Sequence, residues 1–144
     1  MKRHEAIAPL SRDHHDSLIL AQLLKRNAPA YRDMPENAKD KAVYAQQQFH
    51  EHIKKHFQLE EKMLEKVKAI DTQIDKVAAE IKNEHEELKA LFKSLGSTID
   101  LENCLDTLGN KLETHIRKEE RILFPLLQQH CSEEKLQEIH ELLH

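Results

Sequence analysis

At 144 residues the chain suits one domain, spanning 1–144, with no room for a second of ordinary size. Its 2 Gly cannot supply the turns of an all-β domain, while 33% charged against 39% hydrophobic residues fit long helices with a narrow buried stripe. A net charge of −4 leaves no basic excess for nucleic acid, and no apolar run of membrane-spanning length or signal segment follows Met1-Lys2-Arg3-His4-Glu5, so a cytoplasmic protein is expected.

The first helical pattern runs from about Pro9 to Lys25 and carries Leu10, Leu18, Ile19, Leu20, Leu23 and Leu24. A loop follows, because Pro29 and Pro35 interrupt any helix there. The second pattern runs from about Glu36 to Lys68. Its inward positions are Phe49, His52, His56, Glu60, Met63 and Val67, spaced by 3, 4, 4, 3 and 4, which keeps them on one helical face. The third starts at Asp71 as N-cap, carries Ile74, Val77, Ile81, His85, Leu88, Phe92 and Leu95, and stops at Gly96 as C-cap. The fourth starts near Asp100 with Leu101, Leu105, Leu108, Leu112, His115, Glu119, Ile122 and Leu126 on one stripe, and Pro125 is expected to kink or end it. Ser132 caps a short fifth helix, Glu133 to Leu143, which can pack outside the others or pair with a second chain. The expected fold is all-α: an antiparallel, up-down-up-down four-helix bundle with a short fifth C-terminal helix.

Histidine is the outlier, with 11 residues, and it is the commonest metal ligand. His56, Glu60, His85, His115 and Glu119 interrupt apolar stripes near mid-length. Burying a lone carboxylate or imidazole costs several kcal/mol unless it is paired. At one level of a bundle these groups can satisfy one another by sharing metal ions. The i, i+4 spacing lets His56 with Glu60, and His115 with Glu119, reach the same metal pair. A nitrogen and oxygen donor set without thiolate favours iron or manganese over structural zinc. His4, His50, His130 and His140 fall outside the stripes and are assigned to the surface. Cys104 and Cys131 form no CxxC motif and read as free thiols.

The chain resembles the hemerythrin-like (HHE cation-binding) family over nearly its whole length. The likeness rests on Leu10-Ser-Arg-Asp-His14-His15, His52-Ile-Lys-Lys-His56-Phe-Gln-Leu-Glu60-Glu61, Asn83-Glu-His85-Glu-Glu-Leu88 and His115-Ile-Arg-Lys-Glu-Glu-Arg-Ile-Leu-Phe-Pro125. It implies a four-helix bundle around a non-haem di-iron site with five His and two bridging carboxylates, with Mn or Zn as substitutes for the two Fe ions. Carried over by position, His56, Glu60, His85 and His115 are ligands. The first helix offers His14 or His15, and His14 is favoured because it shares a face with Leu10, Leu18 and Ala21. A second third-helix histidine is missing, since Ile81 and Lys89 flank His85. His52 can replace it, or one metal keeps an open position. Glu119 is preferred to Glu120 as the fourth-helix carboxylate, because Glu120 would need a π-bulge to face the site.

The implied partner is a small diatomic, O2 or NO, with the protein acting in oxygen binding, sensing or iron–sulfur repair. Sensing or repair is favoured over storage, a homo-oligomer is an open expectation, and no hydrolase is expected because no general base is placed for one. Ferritin-like sites use Glu-x-x-His, which occurs here only as Glu141-Leu-Leu-His144. His140-Glu141-Leu142-Leu143-His144 matches the zinc-peptidase motif but has no downstream third ligand. A metal-free interaction module would leave the buried His and Glu without explanation.

Overall fold

A computed structural model describes residues 2–144, so Met1 of the expected domain lies outside the described residues. The described residues contain helices and no strands. The helices are α1 (Ala8–Leu24), α2 (Ala38–Gln48), α3 (Lys54–Lys66), α4 (Thr72–Ser94), α5 (Leu101–Lys118), α6 (Phe124–His130) and α7 (Glu133–Leu143). A first π turn, Phe49–Ile53, fuses α2 to α3, and a second, Glu119–Leu123, fuses α5 to α6. Four long rods result: α1, α2–α3, α4 and α5–α6. No helix of the described residues is long and apolar enough to cross a membrane.

Local chemistry sets the rod ends. Asn37, Asp71 and Ser132 cap α2, α4 and α7 by accepting from the backbone N–H of Asp40, Gln73 and Lys135. Gly96 does not act as a left-handed cap. No glycine among the described residues has a positive φ, and α4 closes instead through Leu95 N–H to Phe92 and Gly96 N–H to Lys93 carbonyls. Pro125 does not end its rod. It falls in the first turn of α6, just after the second π turn, where its missing N–H is not needed.

The π turns also correct three inward positions. Each admits one extra residue in its turn, so a regular helical count fails across it. Ile53, 5% exposed, faces in where His52 was expected, and Leu123 and Leu127, both 0% exposed, replace Ile122 and Leu126. Ile122 is 47% exposed.

Side-chain pairs fix the direction of neighbouring rods. Following α1 forward, its partners on the α5–α6 rod fall from Glu120 to Glu113 to Asp106. Along α4, Glu80 and Glu84 reach Lys118, and Glu87 reaches Lys111. Along α3, Glu61 meets His85 and Glu65 meets Lys82. Gly109 permits the close α1–α5 approach, because a Cβ there would lie 2.6 Å from the Ala21 carbonyl oxygen.

The apolar core is split in two. One cluster gathers Ile7, Leu10, Met63, Ile74, Ile81 and Leu127, and α7 joins it through Leu136 and Ile139, so the fifth helix packs on its own chain. The other gathers Leu20, Leu24, Phe57, Phe92, Leu108 and Leu112. In sequence order His14, Glu60, His85 and Glu119 each fall between residues that the two clusters take from the same rod. Burial on this scale stabilises by about 1.5–3 kcal/mol per large apolar side chain relative to exposure.

Candidate metal centre

Among the described residues six polar or charged side chains are buried: His14, His56, Glu60, His85, His115 and Glu119. They come from all four rods. Their donor atoms form two sets whose members lie within 4.8 Å of one another: His14, His56, Glu60 and Glu119, and then Glu60, His85, His115 and Glu119. Glu60 and Glu119 belong to both sets and are 0% exposed.

All four Nε2 atoms point at the shared carboxylates. His85 Nε2 lies 2.8 Å from Glu60 Oε1 and His56 Nε2 3.3 Å from Glu60 Oε2. His14 and His115 Nε2 lie 3.2 and 3.0 Å from Glu119 Oε1. Most of these contacts are close without being hydrogen bonds. His14, His56 and His115 Nε2, Glu60 Oε2 and both Glu119 oxygens are buried with no hydrogen-bond partner. Orphaned polar atoms in a dry layer are costly. Lone pairs that converge on shared points rather than on each other fit cations held between them.

The outer ring nitrogens are paired. His14 Nδ1 meets Glu120 Oε2 at 2.6 Å, His85 Nδ1 meets Glu61 Oε2 at 2.7 Å, His115 Nδ1 meets Glu84 Oε1 at 2.8 Å and His56 Nδ1 meets Asp13 Oδ2 at 3.0 Å. A carboxylate accepting from Nδ1–H fixes the tautomer and leaves the Nε2 lone pair free to ligate. Rings support the arrangement: Phe57 stacks on His85 with centroids 4.0 Å apart, and Phe124 lies parallel to His14 at 5.6 Å.

The arrangement has an internal exchange symmetry. Swapping α1 with α4, and the α2–α3 rod with the α5–α6 rod, exchanges His14 with His85, His56 with His115 and Glu60 with Glu119. It also exchanges Asp13 with Glu84 and Glu61 with Glu120. The short sequence echo His-apolar-x-x-Glu-Glu at His56 and His115 is the visible half of this relation.

Burial lowers the proton affinity of His56, but its bonds to Asp13 and Glu60 outweigh that and raise its pKa to about 10. His115 is likewise raised to about 10, burial being outweighed by the charge and hydrogen bond of Glu119 and the bond to Glu84. For Glu60, burial alone would raise the carboxyl, yet contact with Glu119, His56 and His85 holds it well below the usual range. Without cations His56 and His115 thus favour the imidazolium form and Glu60 the carboxylate.

Three candidates stay outside the cluster. His15 is exposed, 100° around α1 from His14. His52 is 69% exposed, turned outward by the first π turn, so it supplies no fifth imidazole. Glu120 stands behind His14 at Nδ1 and not in the cluster, while Glu119, at the start of the second π turn, faces in. Asp13, Glu61 and Glu84 were not anticipated. Their signal is adjacency: Asp13-His14, Glu84-His85 and Glu60-Glu61 are doublets of one inward and one flanking group.

Helical rods closing a dry His/Glu centre define a cation-binding helical protein. Residues 5–127 match the hemerythrin HHE cation binding domain, and the chain belongs to that family. No curated protein and no solved structure matches the chain.

Proposed function

We propose that the four rods form an up-down-up-down bundle whose centre holds two iron ions, and that the protein reacts with O2 or NO as a redox or gas-responsive centre. The observation that carries this reading is the set of orphaned, converging Nε2 and carboxylate oxygens. His14 and His56 would hold one ion, His85 and His115 the other, and Glu60 and Glu119 would bridge them. Iron held by these residues would supply the electrons for reaction with a diatomic.

The chain's own residues prepare that chemistry. Two imidazoles and the two shared carboxylates would hold each ion. Asp13, Glu61, Glu84 and Glu120 hold the Nδ1 protons and aim the rings. The apolar clusters on either side exclude water from the polar layer. A cavity of about 620 Å³ between α1 and the α2–α3 rod reaches His56 and Asp13, and Leu10, Leu20, Leu23 and Ile53 line it. It offers a diatomic a route to the His14–His56 side.

The test begins with protein made anaerobically in iron-replete medium. Two irons per chain are expected, and oxidation with a new charge-transfer band within minutes of mixing the ferrous protein with O2. Iron content near zero would remove the di-iron reading. Two irons inert to both O2 and NO would leave a structural metal site.

A further inference from the structure

We propose that Arg3 is a positioning residue for His14: its guanidinium holds both supports of that imidazole, the Glu120 carboxylate and the Phe124 ring. The inference rests on the reading of His14 as a ligand of the first-half ion. Arg3 Nη2 donates to the Glu120 carboxylate at 3.2 Å and to the Glu120 carbonyl oxygen at 2.9 Å. The same carboxylate meets His14 Nδ1 at 2.6 Å. The guanidinium carbon also stands 5.3 Å from the Phe124 ring centroid, within cation–π range. Phe124 lies parallel to the His14 ring. One cation therefore acts on the imidazole by two routes, through its hydrogen-bond partner and through its ring neighbour.

The segment that carries Arg3 is pinned for this reach. Gln128 Oε1, on α6, accepts from the His4 backbone N–H at 2.9 Å and from Arg3 Nη1 at 3.2 Å, and Gln128 Nε2 donates to the Lys2 carbonyl oxygen at 3.0 Å. A planar guanidinium can serve an amide oxygen, a carbonyl, a carboxylate and a ring together, which a lysine ammonium cannot.

The internal exchange of the centre sharpens the assignment. Among the described residues, the outer carboxylates Asp13 and Glu61 pair with their histidines and with no lysine or arginine. Glu84, which meets His115, accepts from Lys118 Nζ at 2.8 Å. Each half thus has one histidine whose outer carboxylate is held by a cation: His115 through Lys118, and His14 through Arg3. Lys118 lies on the rod of His115. Arg3 comes from the segment before α1, which makes that segment part of the first half's shell.

Anaerobic competition for ferrous ion with a chromophoric chelator tests the proposal in two backgrounds. His115→Ala should keep the first-half ion, and His56→Ala the other. Adding Arg3→Gln should weaken the ion of the His115→Ala chain about tenfold and leave that of the His56→Ala chain unchanged. Arg3→Lys should recover part of the loss, because its ammonium can meet Glu120 but not Gln128 and the ring as well. A second readout needs no metal. The His14 Nδ1–H should give a protected downfield proton resonance in the metal-free natural sequence, and Arg3→Gln should lose it to exchange with water. The Arg3 side chain is 20% exposed and precedes α1, so its variants keep the fold. Equal weakening in both backgrounds, or a His14 resonance unchanged by Arg3→Gln, would overturn the proposal. A chain that takes up no iron, while the resonance is lost as expected, would remove the di-iron reading and leave Arg3 as the residue that positions His14.

Discussion

The two halves of the centre are built from matching residues, yet they are not equally enclosed. On the His85–His115 side, Glu84 is 27% exposed and is gripped by Lys118 at 2.8 Å while it holds His115. On the His14–His56 side, Asp13 is 55% exposed, and the large cavity opens beside it. Glu120, behind His14, is held by Arg3 and Ser11, so within this half His56 is the looser ligand. The His85–His115 side opens only to a smaller cavity of about 270 Å³ beside Glu84 and His115, so the two halves differ in the size of their opening and in how firmly the outer carboxylate is held.

The largest expected effect comes from the carboxylates both halves share. Glu60→Ala or Glu119→Ala should reduce the metal content from two ions per chain to near zero. His56→Ala and His115→Ala should each remove one. Elemental analysis of freshly purified variants checks this. If Glu119→Ala retains a full complement, the two halves are not bridged and the comparison fails.

The next effect is on protons. In the metal-free protein, His56 and His115 carry pKa values raised to about 10, against about 6.5 in the unfolded chain. Their contribution to stability is fully present below pH 6.5 and is lost as pH rises through 10. The metal-free Tm should therefore fall across that window in scanning calorimetry. Cation affinity should rise across it, because a ligating imidazole must first shed its proton. A metal-free Tm that climbs from pH 6.5 to 10 would contradict the imidazolium forms of His56 and His115.

The outer carboxylates separate the halves more finely. Glu84→Gln should weaken the second-half ion by about 10–100-fold, the usual range for a partner behind a ligating histidine. Asp13→Asn should cost less, because an exposed and unclamped carboxylate already shares its proton with water. Competition with a chromophoric chelator measures both. Equal losses would show that burial of the outer partner does not set its contribution.

Much of this was legible in sequence. The rods and the N-caps at Asp71 and Ser132 follow from periodicity and capping chemistry, and His56, Glu60, His85, His115 and Glu119 stand out as polar breaks in apolar stripes. The placement of His14 over His15 was readable because Leu10 marks its face. The flanking shell was not, because Asp13, Glu61 and Glu84 look like ordinary residues of a charged surface until the opposite rod is in place. The π turns were hidden too. A single extra residue in a turn leaves no mark on composition, and a regular 3.6-residue count carried across it assigns the wrong neighbour.

That error yields the smallest expected effects and the cleanest contrast. If the first π turn rotates His52 out to solvent, His52→Ala should leave metal content unchanged and stability within about 0.5 kcal/mol of its starting value. Ile53→Ala, one residue on, should cost about 2–5 kcal/mol, since Ile53 is 5% exposed within the cluster of Leu20, Phe57 and Phe92. The second π turn makes the same demand of Ile122 and Leu123. Ile122→Ser, at a 47% exposed position, should be nearly neutral, while Leu123→Ala at 0% exposure should be strongly destabilising. Thermal unfolding of the four variants reads the register of both turns. If His52→Ala and Ile122→Ser were the costly pair, the rods would be regular helices. His52 would then lie on the inner face, and the difference between the halves would have to be explained by a fifth imidazole and not by Asp13.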